Sequence, residues 1–292
     1  MKEPKRFLTI GGDVRQIYMT QCFNEKGFIA NAYGFDTLNH INVPRFNYTD
    51  LKAAINDCDA IVLPLPMSRD GIALNCPCFS GEINIGELTQ LLNRDHIIFG
   101  GMLTKSFKSN LFERGISFFD YFDREELIVK NAVPTAQGVI KLIMSEMPIT
   151  VHGSKIAVTG FGRTSRVLVH MLKGLGADVT VVARSYGDLA FAEIQGCRPV
   201  TFEDLDKAAV KLDIIINTVP SLVIDEQILR SLKKDCMVIE IASAPFGIDF
   251  EQAENYGIKV IRAGSLPGKA APKTSGEIVA DAILSIIKEE IT

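Results

Sequence analysis

The sequence predicts an α/β protein of two Rossmann-like parallel-sheet domains joined by a linker helix, with an inter-domain cleft. Three observations carry that expectation. The chain has 292 residues, 47% of them hydrophobic, enough for two modest cores. Short β-branched runs alternate with amphipathic segments, the pattern of parallel strands and crossover helices. Near the middle, Gly160 and Gly162 follow an apolar strand and open a helix, a context that gives a glycine turn meaning.

In chain order, RFLTIGG reads as a strand, VRQIYMTQCFNEKG as a helix and IANAYG as a strand. TDLKAAINDC is a helix with Thr49 or Asp50 as its cap, and AIVLPLP is a strand. NIGELTQLLN then reads as a helix and HIIFGG as a strand, followed by a less regular stretch to about Arg124. Residues 1–130 form the first domain, assigned to substrate or partner. A linker helix over 131–148 follows, with Pro134 near its first turn and Pro148 closing it.

The second domain, 151–274, is the nucleotide-binding Rossmann unit. Its strands are expected at Lys155–Thr159, Asp178–Ala183, Ile214–Thr218, Met237–Ile241 and Lys259–Ile261, with helices at Arg163–Gly174 and Asp225–Leu232 among those between them. The last periodic segment, 275–291, is apolar at helical spacing and is expected to pack back on the first domain.

Composition narrows the ligand. A formal charge of −4 without a basic block gives no footprint for nucleic acid or an anionic membrane, so a small molecule is expected. The N-terminus turns glycine-rich and acidic before any long apolar region, and no run is read as a membrane span, so the expected location is the cytoplasm. Six cysteines are scattered, and Cys76-Pro77-Cys78 has neither redox nor zinc-knuckle spacing; all are read as reduced. Histidines and carboxylates do not cluster at ligand spacing, so no metal is expected.

The turn Gly160, Phe161, Gly162, Arg163, Thr164, Ser165 is built for an anion. The first glycine permits the bend, and the second lets backbone amides at a helix N-terminus approach a pyrophosphate. Ser165 stands where a third glycine is usual. Arg184 closes the second strand, 24 residues after Gly160, where NAD sites carry a carboxylate for the ribose hydroxyls. A guanidinium cannot accept those bonds, but it pairs bidentately with a 2′-phosphate. With Arg163 and Ser185 as further donors, the expected cofactor is NADP. Thr218, Val219 and Pro220, ending the next strand, form the neighbouring wall.

Six stretches in order over nearly the whole chain carry a resemblance: GGDVRQ, LPLPMSRDG, NAVPTAQG, GFGRTSR, IASAPFG and LPGKAAPKTSG. The sequence resembles the family of dipicolinate synthase A subunits. The resemblance implies NADP-dependent oxidation of dihydrodipicolinate, formed from the lysine-pathway intermediate 4-hydroxytetrahydrodipicolinate, to pyridine-2,6-dicarboxylate. It also implies work in the mother cell of spore-forming bacteria beside a flavoprotein-like B subunit. A homo-oligomer is compatible with it.

Such a substrate needs cations or amides at both carboxylates and a flat apolar slot. Expected substrate contacts are Arg15 after the first strand, Ser68 and Arg69 after LPLP, Thr104 and Lys105 after FGGML, Asn131 and Thr135 at the start of the linker helix, and Lys269, Lys273 and Thr274 in a terminal loop. Asp13 or Asp70 is the candidate proton acceptor, although aromatisation favours hydride loss enough for water to suffice. Simpler roles compete: Asp13 and Asp70 as helix caps, Ser68 as a turn residue, Asn131 and Thr135 as helix starters, and the lysines as solvated charges.

A 2-hydroxyacid dehydrogenase would need a histidine late in its cofactor domain, whereas His40, His96, His152 and His170 all come earlier. His170 reads as a packing residue. Two alternatives remain at this level. One is a shikimate- or methylenetetrahydrofolate-type NADP dehydrogenase, for which Lys105 and Asp120 could be taken as a Lys–Asp pair. The other is a non-catalytic NADP-binding regulatory subunit.

Overall fold

The computed structural model describes residues 3–38 and 50–291, so Thr49 and His40 lie outside the described residues. The chain divides into two units, Met1–Asn131 with Ala271–Thr292, and Ala132–Ala270.

The first unit runs β1 (Arg6–Ile10), α1 (Val14–Glu25), β2 (Ile29–Tyr33), α2 (Leu51–Asn56), β3 (Ala60–Val62), α3 (Ile85–Leu91), β4 (Ile97–Gly100), α4 (Lys105–Glu113) and β5 (Ser117–Asp120). Its strands are all parallel, in the order β2-β1-β3-β4-β5. Alternate side chains of one strand serve opposite faces. Leu8 and Ile10 join Ile61 and Ile98 in one core with Leu88 and Leu111, while Phe7 joins Val62 and Phe99 in the other with Phe23 and Ile283. With both faces covered, the strands read as continuous apolar runs. The second of these cores is completed by α12 (Pro272–Ile286), which lies so close to α1 that a Cβ on Gly276 would come within 2.4 Å of the Arg15 carbonyl oxygen.

The long helix α5 (Glu125–Glu146) leads into the second unit. There follow β6 (Lys155–Thr159), α6 (Arg163–Gly174), β7 (Asp178–Val182), α7 (Tyr186–Ile194), β8 (Arg198–Val200), α8 (Leu205–Ala209), β9 (Ile214–Asn217), α9 (Glu226–Ser231), β10 (Met237–Glu240), α10 (Phe250–Asn255), β11 (Lys259–Arg262) and α11 (Leu266–Ala270). The parallel order β11-β10-β9-β6-β7-β8 is the dinucleotide-binding order, reversing between β6 and β9. The first unit has the flavodoxin-like order and reverses between β1 and β3. Ligands of open parallel sheets bind outside the carboxyl ends of strands at such reversals.

Several expectations need correction. The stretch before Arg124 is regular: Thr104 caps α4, whose Phe107 and Leu111 are buried one turn apart, and β5 is one of the sheet's two edge strands. The helix expected at residue 131 begins at Glu125, so Pro134 is its tenth residue and not near its first turn. Proline there removes one amide donor, and the carbonyl it leaves unmatched belongs to Lys130, an exposed residue within reach of water. Asn131 and Thr135 therefore sit inside the helix. The short β8 and α8 were not anticipated. Lys269 belongs to α11, and Lys273 and Thr274 to the first turn of α12, because Pro272 takes the first helical position that its fixed φ suits. His170 is exposed on α6, so it is not a packing residue. By length and apolarity α5 does meet the measure of a membrane span. Its Leu127 lies in one core and its Ala136, Val139 and Ile143 in another, so one face of the helix packs inside the protein while Val129, Val133 and Met144 are exposed.

Candidate active site

At the reversal point of the second unit, β6 is followed by Gly160, whose φ of +83° favours glycine. A Cβ there would also stand 2.7 Å from Thr218 Oγ1. Gly162 differs. It precedes α6 with extended backbone, and a Cβ on it would meet nothing within 4 Å. No internal contact therefore demands that glycine, which leaves its open side to a ligand.

The cap of α6 makes the same point electrostatically. Asp13, Asp50, Asn84, Thr104, Ser185, Asp225 and Asp249 each accept an amide at the start of their helices. α8 and α12 lack such a bond, and among the described residues no side chain supplies one for α6, whose cap is Gly162. Its first turn and the positive end of its dipole are turned to an outside acceptor. The corresponding turn in the first unit is closed to anions, since Asp13 accepts from Arg15 N in a capping box with Gln16 and puts a carboxylate at the helix start.

The rest of the turn is braced. Ser165 Oγ lies 2.9 Å from Thr218 Oγ1, which donates to the Thr159 carbonyl at 2.6 Å, so the residue in the third-glycine place ties α6 to the end of β9. Arg166 Nε donates to the Phe161 carbonyl, its guanidinium pairs with Asp188 at 3.0 Å, and it stands over the rings of Phe161 and Phe191. Nothing in the sequence marked Arg166 for this role beyond its place in GFGRTSR. Arg163 is exposed within the turn. Arg184 lies two residues beyond β7, which pairs with β6, and it is exposed without a hydrogen bond or ion pair among the described residues. Beside it, Ser185 is occupied as the cap of α7. The residues expected to hold a nucleotide are thus gathered at one strand edge, with Val219 and Pro220 following β9. They fit a dinucleotide: an open glycine cradle, a helix start without a side-chain cap and an unpaired guanidinium.

In the first unit, Asp13 and Arg15 follow β1, Ser68 to Asp70 follow β3, and Thr104 with Lys105 follows β4, adjacent strands of one sheet. Arg15 is buried, paired with Asp13 at 2.9 Å and donating to the Leu65 carbonyl at 3.1 Å. Asp70 Oδ1 accepts from Ile72 N and Ala73 N, and these bonds with Ser68 hold its carboxyl below the usual range. Ser68 Oγ accepts from Gly71 N, Thr104 caps α4, and Arg69 and Lys105 are exposed. Asn131 and Thr135 lie one turn apart on α5, away from these strand ends in sequence. Lys273 approaches Glu277 at 3.9 Å. The Lys–Asp pair suggested for Lys105 is made by Lys108, 2.8 Å from an Asp120 carboxylate that also accepts from Met102 N and Leu103 N. It closes a loop.

No thiolate is at hand for covalent chemistry. All six cysteines are unbridged, and burial pushes the Cys58 and Cys236 thiols up to about 12.

Fold and site together define a two-domain α/β nucleotide-binding protein of the dehydrogenase type. Residues 135–246 match the D-isomer specific 2-hydroxyacid dehydrogenase NAD binding domain, which supports a nicotinamide cofactor and an oxidoreductase, and residues 6–122 match the N-terminal domain of the dipicolinate synthase A subunit. The chain is 30% identical over 292 residues to the dipicolinate synthase A subunit of Bacillus subtilis (strain 168), covering 97% of this chain and 96% of that protein. The crystal structure of the Bacillus halodurans dipicolinate synthase A subunit superposes with a TM-score of 0.84 at 28% identity, covering 98% of each chain. That of the Bacillus subtilis protein superposes with a TM-score of 0.82 at 28% identity, covering 99% of this chain and 97% of that one. The chain belongs to the family of dipicolinate synthase A subunits.

Proposed function

We propose that this chain oxidises dihydrodipicolinate to dipicolinate with NADP, as the catalytic A subunit of a dipicolinate synthase. One observation carries the cofactor choice: the uncapped start of α6, open at Gly162, stands beside an unpaired arginine two residues beyond the neighbouring strand. The α6 amides take the pyrophosphate, and Arg184 with Arg163 takes the 2′-phosphate, for which a guanidinium is the matching fork. Gly160, Phe161, Thr164 and Ser165 shape the turn, while Thr218, Val219 and Pro220 wall the far side.

NADP, when bound, supplies the acceptor for a hydride. The chain's own residues hold the dicarboxylate. In this reading Arg69 and Lys105 meet one carboxylate, and the uncapped start of α12, with Lys273 and Thr274, meets the other. Arg15, Ser68 and Thr104 shape the strand-end surface, and Asn131, Thr135 and Lys269 complete the set. As the ring becomes aromatic, one hydride and one proton leave it. The proton passes to water, with Asp70, exposed and ionised at neutral pH, as the candidate protein acceptor; Asp13 holds Arg15 in place. The same reading places the chain in the cytoplasm of the mother cell, working with a B subunit.

The test is turnover. Purified chain supplied with 4-hydroxytetrahydrodipicolinate and its spontaneous dehydration product is expected to form dipicolinate and NADPH in equal amounts from NADP. Product formed equally fast with NAD contradicts the cofactor assignment. Tight NADPH binding without turnover, even when a B subunit is supplied, favours the regulatory alternative.

A further inference from the structure

The carboxylate of Glu240, at the end of β10, is 2% exposed and has no cation against it among the described residues. Burying such a charge is costly unless several donors surround it. Here the donors are Asn217 Nδ2, at 2.8 and 2.9 Å from its two oxygens, Ala242 N at 2.8 Å and Gly247 N at 2.9 Å. The last two are the ends of one loop. A single carboxylate therefore pins both feet of the segment 242–247.

The loop is held in a form it would not adopt by preference. Phe246 has a φ of 67°, a left-handed conformation uncommon for a bulky residue. A Cβ on Gly247 would stand 2.4 Å from Asn217 Nδ2 and 2.5 Å from the Val219 carbonyl oxygen, so the loop is pressed onto the end of β9. Asn217 extends the network, its Oδ1 accepting from Thr159 Oγ1 at 2.5 Å and from Val219 N at 3.2 Å. Thr159, Asn217 and Glu240 end β6, β9 and β10, three adjacent strands. This buried chain starts at Thr159, the residue immediately before the glycine turn.

Strand order says what the loop faces. Along the carboxyl edge the sequence is β7, β6, β9, β10, three spacings of about 4.8 Å, or roughly 14 Å in all. A dinucleotide anchored by Arg184 at β7 and crossing the glycine turn at β6 brings its far half over β9 to the end of β10. We infer that Glu240 is a positioning residue that holds the loop 242–247 as the wall for the nicotinamide–ribose half of the cofactor. This rests on the NADP reading above.

The experiment compares two probes on the full chain. NADPH carries both halves, while 2′,5′-ADP carries only the adenosine half with its 2′-phosphate. Glu240→Gln places an amide N–H where a loop amide needs an acceptor. The variant is expected to bind 2′,5′-ADP within twofold of the wild type and NADPH at least tenfold more weakly. An equal loss for both probes, which is what general loosening of the domain would cause, overturns the inference, as does unchanged NADPH binding. If Glu240→Gln does not fold, Ser243→Trp, at an exposed loop position, carries the same contrast: it should weaken NADPH binding and spare 2′,5′-ADP, and no selective loss overturns the inference. A wild-type chain that binds neither probe instead overturns the NADP reading on which it stands.

Discussion

Two glycines two positions apart in one motif carry different duties, and substitution separates them. Gly160→Ala forces a Cβ toward Thr218 at positive φ and should destabilise the second unit by roughly 1–3 kcal/mol, read as a lower unfolding midpoint. Gly162→Ala adds a methyl to open space, so the midpoint should hold while NADPH binding falls at least tenfold. Unaltered binding in folded Gly162→Ala protein would falsify the cradle. Arg184→Asp is expected to weaken NADPH by at least tenfold, on the order of 1.4 kcal/mol, and NADH hardly at all. Equal losses would remove Arg184 from the 2′-phosphate. The sequence revealed these positions because glycine and arginine announce themselves in a strand-turn-helix context. It did not reveal why Ser165 is tolerated, since its partner Thr218 lies 53 positions away. Glu240 was also hidden, being one acidic residue in an apolar strand whose donors come from a loop and another strand.

At the scale of elements, α1 and α12 approach closely only because position 276 lacks a side chain. Gly276→Val would drive carbons into the Arg15 carbonyl and Met19 amide, overpacking that should cost on the order of 1–3 kcal/mol or more. Thermal unfolding measures it, and an unchanged midpoint would mean that the two helices can part without loss. Long elements were legible because their period is strong, and β6 and α6 fall where the sequence places them. Starts and short pieces were less so. Pro134 drew the predicted start of α5 forward, although packing of Leu127 carries the helix back to Glu125. The lysine-bearing segment looked like a loop because glycine and proline punctuate it, yet Pro272 sits where a helix accepts proline.

For the whole molecule, stability should decline on the acid side in two windows. Buried His96 accepts from Asn93 N through Nδ1 and lies 3.1 Å from the Ile55 carbonyl oxygen through Nε2, and burial lowers its pKa below the ordinary value of about 6.5. The unfolded chain then takes up a proton that the folded chain refuses, so stability present above about pH 6.5 is lost as pH falls toward the lower folded value. Asp59 and Asp213, held low by Arg6 and Lys233, contribute stability above the ordinary carboxylate pKa of about 3.9 that is lost as pH falls through their folded values. Unfolding midpoints between pH 7 and 5 should drop in the wild type and flatten in His96→Gln; parallel slopes would exclude His96.

In the proposed reading one chain binds NADP and a planar dicarboxylate and passes a hydride from one to the other. The most direct measurement is a fluorescence titration with NADPH and with NADH, each repeated in the presence of dipicolinate. Tight NADPH binding, much weaker NADH binding, and a shift of the NADPH affinity by dipicolinate are predicted. Equal affinities for the two nucleotides, or an NADPH curve that dipicolinate leaves unmoved, would contradict the account.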